Sequence, residues 1–306
     1  MTATPGAWPV VLTPFTDADD VDLDALDRYV DWLITHDAEG LFAVALSGEM
    51  YELTPAERAL VARRVVARAR GRVPVAAAAV GDGASYPTAS LVDEARTLAD
   101  AGVDVVVLIA STLAAETESE RAVLDRARAV IDASPGIVFG IYECPLPYHR
   151  VLSEAAVADL AATGRFAFFK ETSHDVGRMR QRVADAAGTP LRVYNAGIEN
   201  YAESVDAGVA GLSGWVVNVA PDLVARLGAL ASSEGLTPRV RSLQQALVDV
   251  ETRMGPTYPA SAKAIVERRA GLGWTPRSRW RASEVDGALV ADLVDRLATA
   301  AEAVRS

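Results

Sequence analysis

Phe166-Ala167-Phe168-Phe169-Lys170-Glu171-Thr172-Ser173 is an apolar run that ends abruptly in an amine, a carboxylate and two hydroxyls. It is too short for a globular helix and rich enough in phenylalanine for a buried strand. Lys170 then stands at the strand end, pointing into a site. Lysine is scarce here: of 30 Lys plus Arg in 306 residues, only Lys170 and Lys263 are lysine. A guanidinium stays protonated in proteins, whereas a desolvated lysine can lose its proton and attack a carbonyl. A Schiff-base lysine is one reading of the stretch. An ammonium that merely snorkels out of a strand end is the other.

Similar runs recur on both sides: Val10 to Leu12, Leu41 to Leu46, Pro74 to Val80, Val103 to Ile109, Ile137 to Tyr142, Leu191 to Asn195 and Val209 to Ser213. Their apolarity is nearly continuous, which fits a parallel sheet covered on both faces. Helix signals lie between them, over Asp24 to His36, Ser85 to Ala101, Thr117 to Ala133, Ser153 to Ala162, Asp175 to Ala187 and Glu199 to Ala207. Thr54-Pro55-Ala56-Glu57 reads as an N-cap, a first-turn proline and a capping-box glutamate opening a helix that runs to about Arg70. Gly102 supplies a stop before the next strand. Another helix is expected after Pro221. Eight βα units predict an α/β fold of the (β/α)8 TIM-barrel type, whose usual size is roughly 250 residues. A doubly wound sheet would place a glycine turn after its first strand; Thr13-Pro14-Phe15 has none. The barrel is assigned to residues 1–234. Residues 235–306 read as a helical extension packed on it, with helices over Val240 to Met254, Ala260 to Ala270 and Glu284 to Val304.

Composition narrows the partners. The net charge is −11 and no basic patch stands out, so nucleic acid and membrane surfaces are not expected. Half the residues are hydrophobic but only 6% aromatic, which predicts a core of Ala, Val and Leu. One cysteine, Cys144, cannot form an intrachain disulfide. Met1 to Pro9 lacks the pattern of a signal peptide, and no long apolar stretch suggests a membrane span. A cytoplasmic location is the resulting expectation.

Catalytic groups of such barrels sit at the C-terminal ends of the strands. There the chain places Ser47-Gly48-Glu49, Tyr142-Glu143-Cys144-Pro145, Lys170-Glu171-Thr172, Asn195-Ala196-Gly197 and Ser213-Gly214-Trp215. A Schiff-base reaction needs a deprotonatable amine, a proton shuttle and an anchor for a carboxylate. Lys170, Tyr142 and the Ser47-Gly48 turn supply these in turn, since backbone N–H groups at a tight turn hold a carboxylate without a cation. Taken singly, each has a plainer role: Tyr142 as a core aromatic, Ser47-Gly48 as an ordinary loop, Cys144 as a small buried hydrophobe. Glu116, Glu118 and Glu120 read as solvated, and Arg150 as a surface ion-pair partner. His36, His149 and His174 have no ligand spacing, so no metal site is expected.

With these residues in hand, the chain resembles the dihydrodipicolinate synthase / N-acetylneuraminate lyase superfamily over essentially its whole length. Leu12-Thr13-Pro14-Phe15 is similar to the family's opening. Ala45-Leu46-Ser47-Gly48-Glu49, with Leu53-Thr54 and Glu57-Arg58, resembles its pyruvate-carboxylate loop. Val80-Gly81 and Ala101-Gly102-Val103-Asp104 are similar to its third and fourth units. Tyr142-Glu143-Cys144-Pro145 resembles the proton-shuttling tyrosine turn, and Phe169-Lys170-Glu171-Thr172-Ser173 the Schiff-base lysine turn. Gly211-Leu212-Ser213-Gly214 and Asn218-Val219-Ala220-Pro221 look like the eighth strand and its loop, and the stretch around Lys263 and Gly271 like the C-terminal helices. The resemblance implies that Lys170 condenses with pyruvate or another 2-oxo acid, that Tyr142 relays protons, and that Ser47 with Gly48 holds the carboxylate. It implies no cofactor, because the imine is the electron sink, and a homo-oligomer, commonly a homotetramer built from dimers.

The sequence also departs from that pattern. Leu46 replaces the first hydroxyl of the carboxylate loop. Ala110-Ser111-Thr112-Leu113 stands where lysine-pathway synthases carry a relay tyrosine pair, and Pro147 where they carry an arginine. Glu143 replaces the usual asparagine, adding a carboxylate at the mouth. These departures argue against dihydrodipicolinate synthase activity. They leave a lyase acting on a 2-oxo acid, with Lys170 and Tyr142 as catalytic residues and Ser47, Gly48, Leu46, Glu143 and Ser213 around the substrate. Dehydratase or hydratase-aldolase chemistry on the same imine, and a non-catalytic 2-oxo acid binder, remain open.

Overall fold

The computed structural model describes residues 4–81, 88–281 and 284–305. Eight parallel strands form one sheet: β1 (Gly6–Ala7), β2 (Leu41–Val44), β3 (Val75–Ala79), β4 (Val105–Ile109), β5 (Phe139–Tyr142), β6 (Phe166–Glu171), β7 (Arg192–Asn195) and β8 (Gly211–Leu212). From β2 to β8 each strand pairs with the next in sequence, and β8 pairs with β1. Parallel bridges Ala7–Ala38 and Val10–Phe42 join the first segment to the second and close the ring. The fold is the (β/α)8 barrel with C-terminal helices that the run pattern predicts.

The helices are α1 (Leu23–Thr35), α2 (Pro55–Ala69), α3 (Thr88–Asp100), α4 (Ala110–Leu113), α5 (Glu120–Asp132), α6 (Glu154–Ala162), α7 (Val176–Asp185), α8 (Tyr201–Asp206), α9 (Pro221–Glu234), α10 (Pro238–Met254), α11 (Ala260–Ala270) and α12 (Gly287–Ala303). The capping box forms as read: Glu57 N donates to Thr54 Oγ1 at 3.2 Å, and Thr54 N to Glu57 Oε2 at 2.8 Å. The expected start of α3, from Ser85 to Pro87, lies outside the described residues. Helix α10 crosses the ends of α8 and α9, and α12 packs on α10 and α11.

Two strands differ from expectation. Val10 to Leu12 is not the first strand; β1 lies earlier, and Val10 makes only an isolated bridge. Pro9 is the reason: it has no N–H to give a ladder, and only its carbonyl is used, accepting from Phe42 N at 2.9 Å. The eighth strand shrinks to Gly211–Leu212. Gly211 presses on the Gly6 backbone so closely that any Cβ would collide with it, so glycine sets the β1–β8 spacing.

Aromatic residues are few, yet they fill the barrel. Trp8, Phe168 and Tyr194 lie with ring centroids 4.7–5.0 Å apart, and Phe42 meets Phe168 at 5.6 Å and Tyr142 at 6.0 Å. The expected Ala, Val and Leu core is present in the strands, where Val105 to Ile109 and Val75 to Ala79 are all buried on one face of the sheet or the other. Inside the closed ring, flat rings fill a space that small side chains would leave void.

Candidate active site

Strand register decides which side chains share the barrel interior. Tyr142 pairs with Lys170, and Lys170 with Tyr194. Side chains alternate along a strand, so these residues face inward while their successors Glu143, Glu171 and Asn195 face the helices. Lys170 is 4% exposed, and its Nζ lies 4.8 Å from the Tyr142 ring centroid and 5.7 Å from that of Phe42. Burial pulls its ammonium from the ordinary 10.5 down to about 8, against weaker opposing pulls from Cys144 and Glu251. Burial likewise pushes the Tyr142 phenol well up, keeping it protonated. A poised amine and a neutral phenol on adjacent strands suit attack on a carbonyl and return of a proton.

Across the barrel, β2 ends in a tight 3-10 turn over Leu46–Gly48, with Gly48 N donating to Ala45 O at 3.0 Å and Glu49 in the left-handed region at φ 63°. A Cβ on Gly48 would lie 2.7 Å from Val11 O, so only glycine fits. Thr13 Oγ1 fixes the turn by donating to Gly48 O at 2.7 Å. The Ser47 side chain is hydrogen-bonded with the Tyr258 hydroxyl, which also accepts from Asn218 Nδ2 at 2.6 Å. Asn218 in turn accepts from Val10 N at 2.8 Å. Leu46 offers the turn a buried apolar side chain and no donor. Ser213, at the end of β8, is fully buried, and its Oγ has no hydrogen-bond partner among the described residues.

Residues 4–278 match the Dihydrodipicolinate synthetase family. The chain belongs to that family. An uncharacterized DapA-like lyase of Halobacterium salinarum is 33% identical over 295 residues, covering 95% of this chain and 93% of the relative. Among solved structures, the sialic acid aldolase of Ruminococcus gnavus is similar, with TM-score 0.85, 20% identity and 98% of each chain covered. So is an E. coli prophage protein of the dihydrodipicolinic acid synthase family, solved with pyruvate: TM-score 0.82, 21% identity, 97% and 98% covered.

Against the family pattern, Glu143 needs correction. Its carboxylate does not open on the mouth. It is fully buried on the outer side of β5, where it accepts from Leu152 N at 2.8 Å and Thr172 N at 3.0 Å and pairs with Arg182 at 3.0 Å. Arg182, also fully buried, pairs with Glu171 as well and donates to Leu152 O. Alternation is the physical reason: a residue directly after an inward Tyr142 must point outward. Burial pushes the Glu143 carboxyl up to about 7, with Arg182 drawing it back. The triad ties the ends of β5 and β6 together immediately behind Tyr142 and Lys170.

Other side chains also land differently. Arg150 has no ion pair among the described residues; it donates to Tyr148 Oη at 3.0 Å and Ala115 O at 2.7 Å. Glu118 and Glu120 are not simply solvated. Glu118 pairs with Arg126 at 2.8 Å, and Glu120 accepts from Ser153 N at 2.7 Å and Ser153 Oγ at 2.6 Å. Cys144 is buried and hydrogen-bonded with the hydroxyls of Tyr142 and Tyr51. Tyr51 and Ser111 both donate to Leu146 O, at 2.8 and 3.0 Å. Sequence reading missed Tyr51, Tyr258 and Glu251. Tyr51 follows Glu49 by two residues and was within reach of a strand-end search; Tyr258 and Glu251 come from the C-terminal region and had no local signal. Among the described residues no group of three His, Cys, Asp or Glu is placed to hold a metal ion, and no helix is long and apolar enough to cross a membrane.

Proposed function

We propose that this protein is a Schiff-base lyase acting on pyruvate or a related 2-oxo acid, forming or cleaving a carbon–carbon bond in a 2-oxo-3-deoxy acid. The observation that carries this reading is Lys170: a buried amine with no carboxylate partner among the described residues, drawn down to about 8, beside a protonated tyrosine. The neutral amine adds to the C2 ketone, and water leaves to give the imine. The imine then accepts the electron pair released when the C3–C4 bond breaks, while the proton of the C4 hydroxyl passes to the group that later protonates C3. Tyr142 is placed for that relay. The Ser47-Gly48 turn anchors the C1 carboxylate through the Ser47 backbone N–H and hydroxyl, while Gly48 lets the chain make the tight turn. Pairing of chains into a homo-oligomer belongs to the same proposal and rests on the family alone.

Leu46 and the absent relay tyrosine support chemistry other than dihydrodipicolinate synthesis. Borohydride reduction in the presence of pyruvate tests the imine; an adduct on the Lys170 peptide is expected, and none with any 2-oxo acid rejects the reading. Tyr142→Phe separates an enzyme from a binder. It should trap pyruvate but lose about 10²–10⁴ in turnover; a parent with trapping and no turnover on any 2-oxo-3-deoxy acid would instead be a 2-oxo acid binder.

A further inference from the structure

Helix α10 lays one face over the loops that follow β7 and β8. Gln244 on that face accepts from Ala202 N at 2.6 Å and donates to Glu199 O at 3.2 Å. Seven residues on, and so on the same side of the helix, Glu251 reaches the loop after β8 and accepts from Val216 N at 2.7 Å. A carboxylate from outside the eight βα units is thereby set at the barrel mouth. Burial pushes the Glu251 carboxyl up to about 7, so it is ionised above that pH and there favours the ammonium of Lys170.

Ser213 precedes Gly214, the residue that Glu251 approaches. Tyr194, inside the barrel, pairs with Gly211. Two residues on, with its N–H still bonded to Asn195 O at 2.8 Å, Ser213 returns to the inward face one layer nearer the mouth. Its buried hydroxyl has no partner among the described residues, and an unpaired buried hydroxyl is costly unless a ligand completes it. Gly214 separates the two groups. A Cβ there would lie 2.6 Å from Ala196 O and 3.8 Å from Glu251 Oε2, so no side chain fills the gap. The Trp215 ring, stacked on Tyr258 with centroids 4.4 Å apart, walls the same side.

Among the described residues, the guanidiniums at this end already have partners. Arg58 pairs with Glu94, Arg182 with Glu143 and Glu171, and Arg279 with Glu57 and Asp19, while Arg150 is held by Tyr148 and loop carbonyls. His174 pairs with Glu199 at 2.5 Å.

We infer that Glu251 and Ser213 form a specificity subsite for a hydroxyl on the substrate segment beyond the imine carbon, and that Glu251 excludes a second carboxylate there. Glu251 accepts the substrate's O–H, and Ser213 gains the partner it lacks. The subsite rests on the Schiff-base reading of Lys170. It selects 2-oxo acids whose distal segment is hydroxylated and uncharged over dicarboxylic ones.

Borohydride trapping tests this without requiring turnover. The half-saturating concentration is measured for pyruvate, 2-oxopentanoate, 4,5-dihydroxy-2-oxopentanoate and 2-oxoglutarate, each expressed relative to pyruvate in the same protein so that changes in imine formation itself cancel. In the parent, the dihydroxy acid should trap at least tenfold better than 2-oxopentanoate, and 2-oxoglutarate worst. Glu251→Gln keeps the shape and an acceptor for Val216 N; it should bring 2-oxoglutarate to within about threefold of 2-oxopentanoate. Ser213→Ala, a smaller change, should remove most of the dihydroxy advantage. A parent that traps 2-oxoglutarate as well as the dihydroxy acid overturns the subsite, as does a ranking unchanged in either variant. Absence of any pyruvate adduct in the parent overturns the lysine chemistry instead.

Discussion

Lys170 and Lys263 are the chain's two lysines, both are buried, and the structure gives them opposite surroundings. Lys263 has a carboxylate at hand: its Nζ donates to Glu49 Oε1 at 2.6 Å and to Arg277 O at 2.5 Å, over the Phe15 ring. The other oxygen of Glu49 accepts from Ser278 Oγ at 2.9 Å, Arg279 N at 2.6 Å and Trp280 N at 2.9 Å. That ammonium is charge-paired and clamps the C-terminal region to the turn after β2. Lys170 has rings and a thiol around it and no ion pair among the described residues, so burial, with no counter-ion to offset it, pulls its ammonium down to about 8. A buried amine becomes a nucleophile when its counter-ion is withheld, and a structural tie when one is supplied.

The comparison can be broken most sharply at Lys170. Lys170→Met should abolish imine formation and turnover, yet leave thermal stability equal or higher at pH 7, because it removes a buried charge that has no partner. Lys263→Met should do the reverse. It leaves Glu49 buried without its cation and should cost about 3–5 kcal/mol by denaturant unfolding. If both substitutions destabilise alike, the two environments are not distinct in the way described.

The pH dependence is a finer test. Imine formation needs the neutral amine, and a value lowered from 10.5 to about 8 means the neutral fraction rises with pH through about 8. The pyruvate-trapping rate should therefore climb about tenfold from pH 7 to 9 and level off above it. A midpoint near 10 would contradict a desolvated Lys170. The smallest effect is expected for Glu251→Gln. Its negative charge favours the ammonium, so its loss should move the trapping midpoint to lower pH by less than about one unit. A shift upward would show that Glu251 acts on Lys170 by some other route.

The same contrast explains what the sequence could disclose. Lys170, Tyr142 and the Ser47-Gly48 turn were legible because strand ends are local features and the barrel places all strand ends on one face. The number of βα units was legible for the same reason, while the short first and last strands were not, since Pro9 and the close approach of Gly211 act through their partners. Glu143 was misplaced because strand alternation, not proximity to Tyr142 in sequence, decides its face; its partner Arg182 lies a helix away on α7. The Glu49–Lys263 tie and the Glu251–Val216 contact join the barrel to the C-terminal helices. No periodicity or motif records such pairings.

The central claim is that only one of the two lysines is chemically available. Borohydride reduction with isotopically labelled pyruvate, followed by peptide mass spectrometry, addresses it directly because the chain offers just these two amine side chains. One label per chain on the Lys170 peptide, with Lys263 unmodified, is the predicted result. Label at Lys263, or none at Lys170 while the protein remains folded, would contradict it.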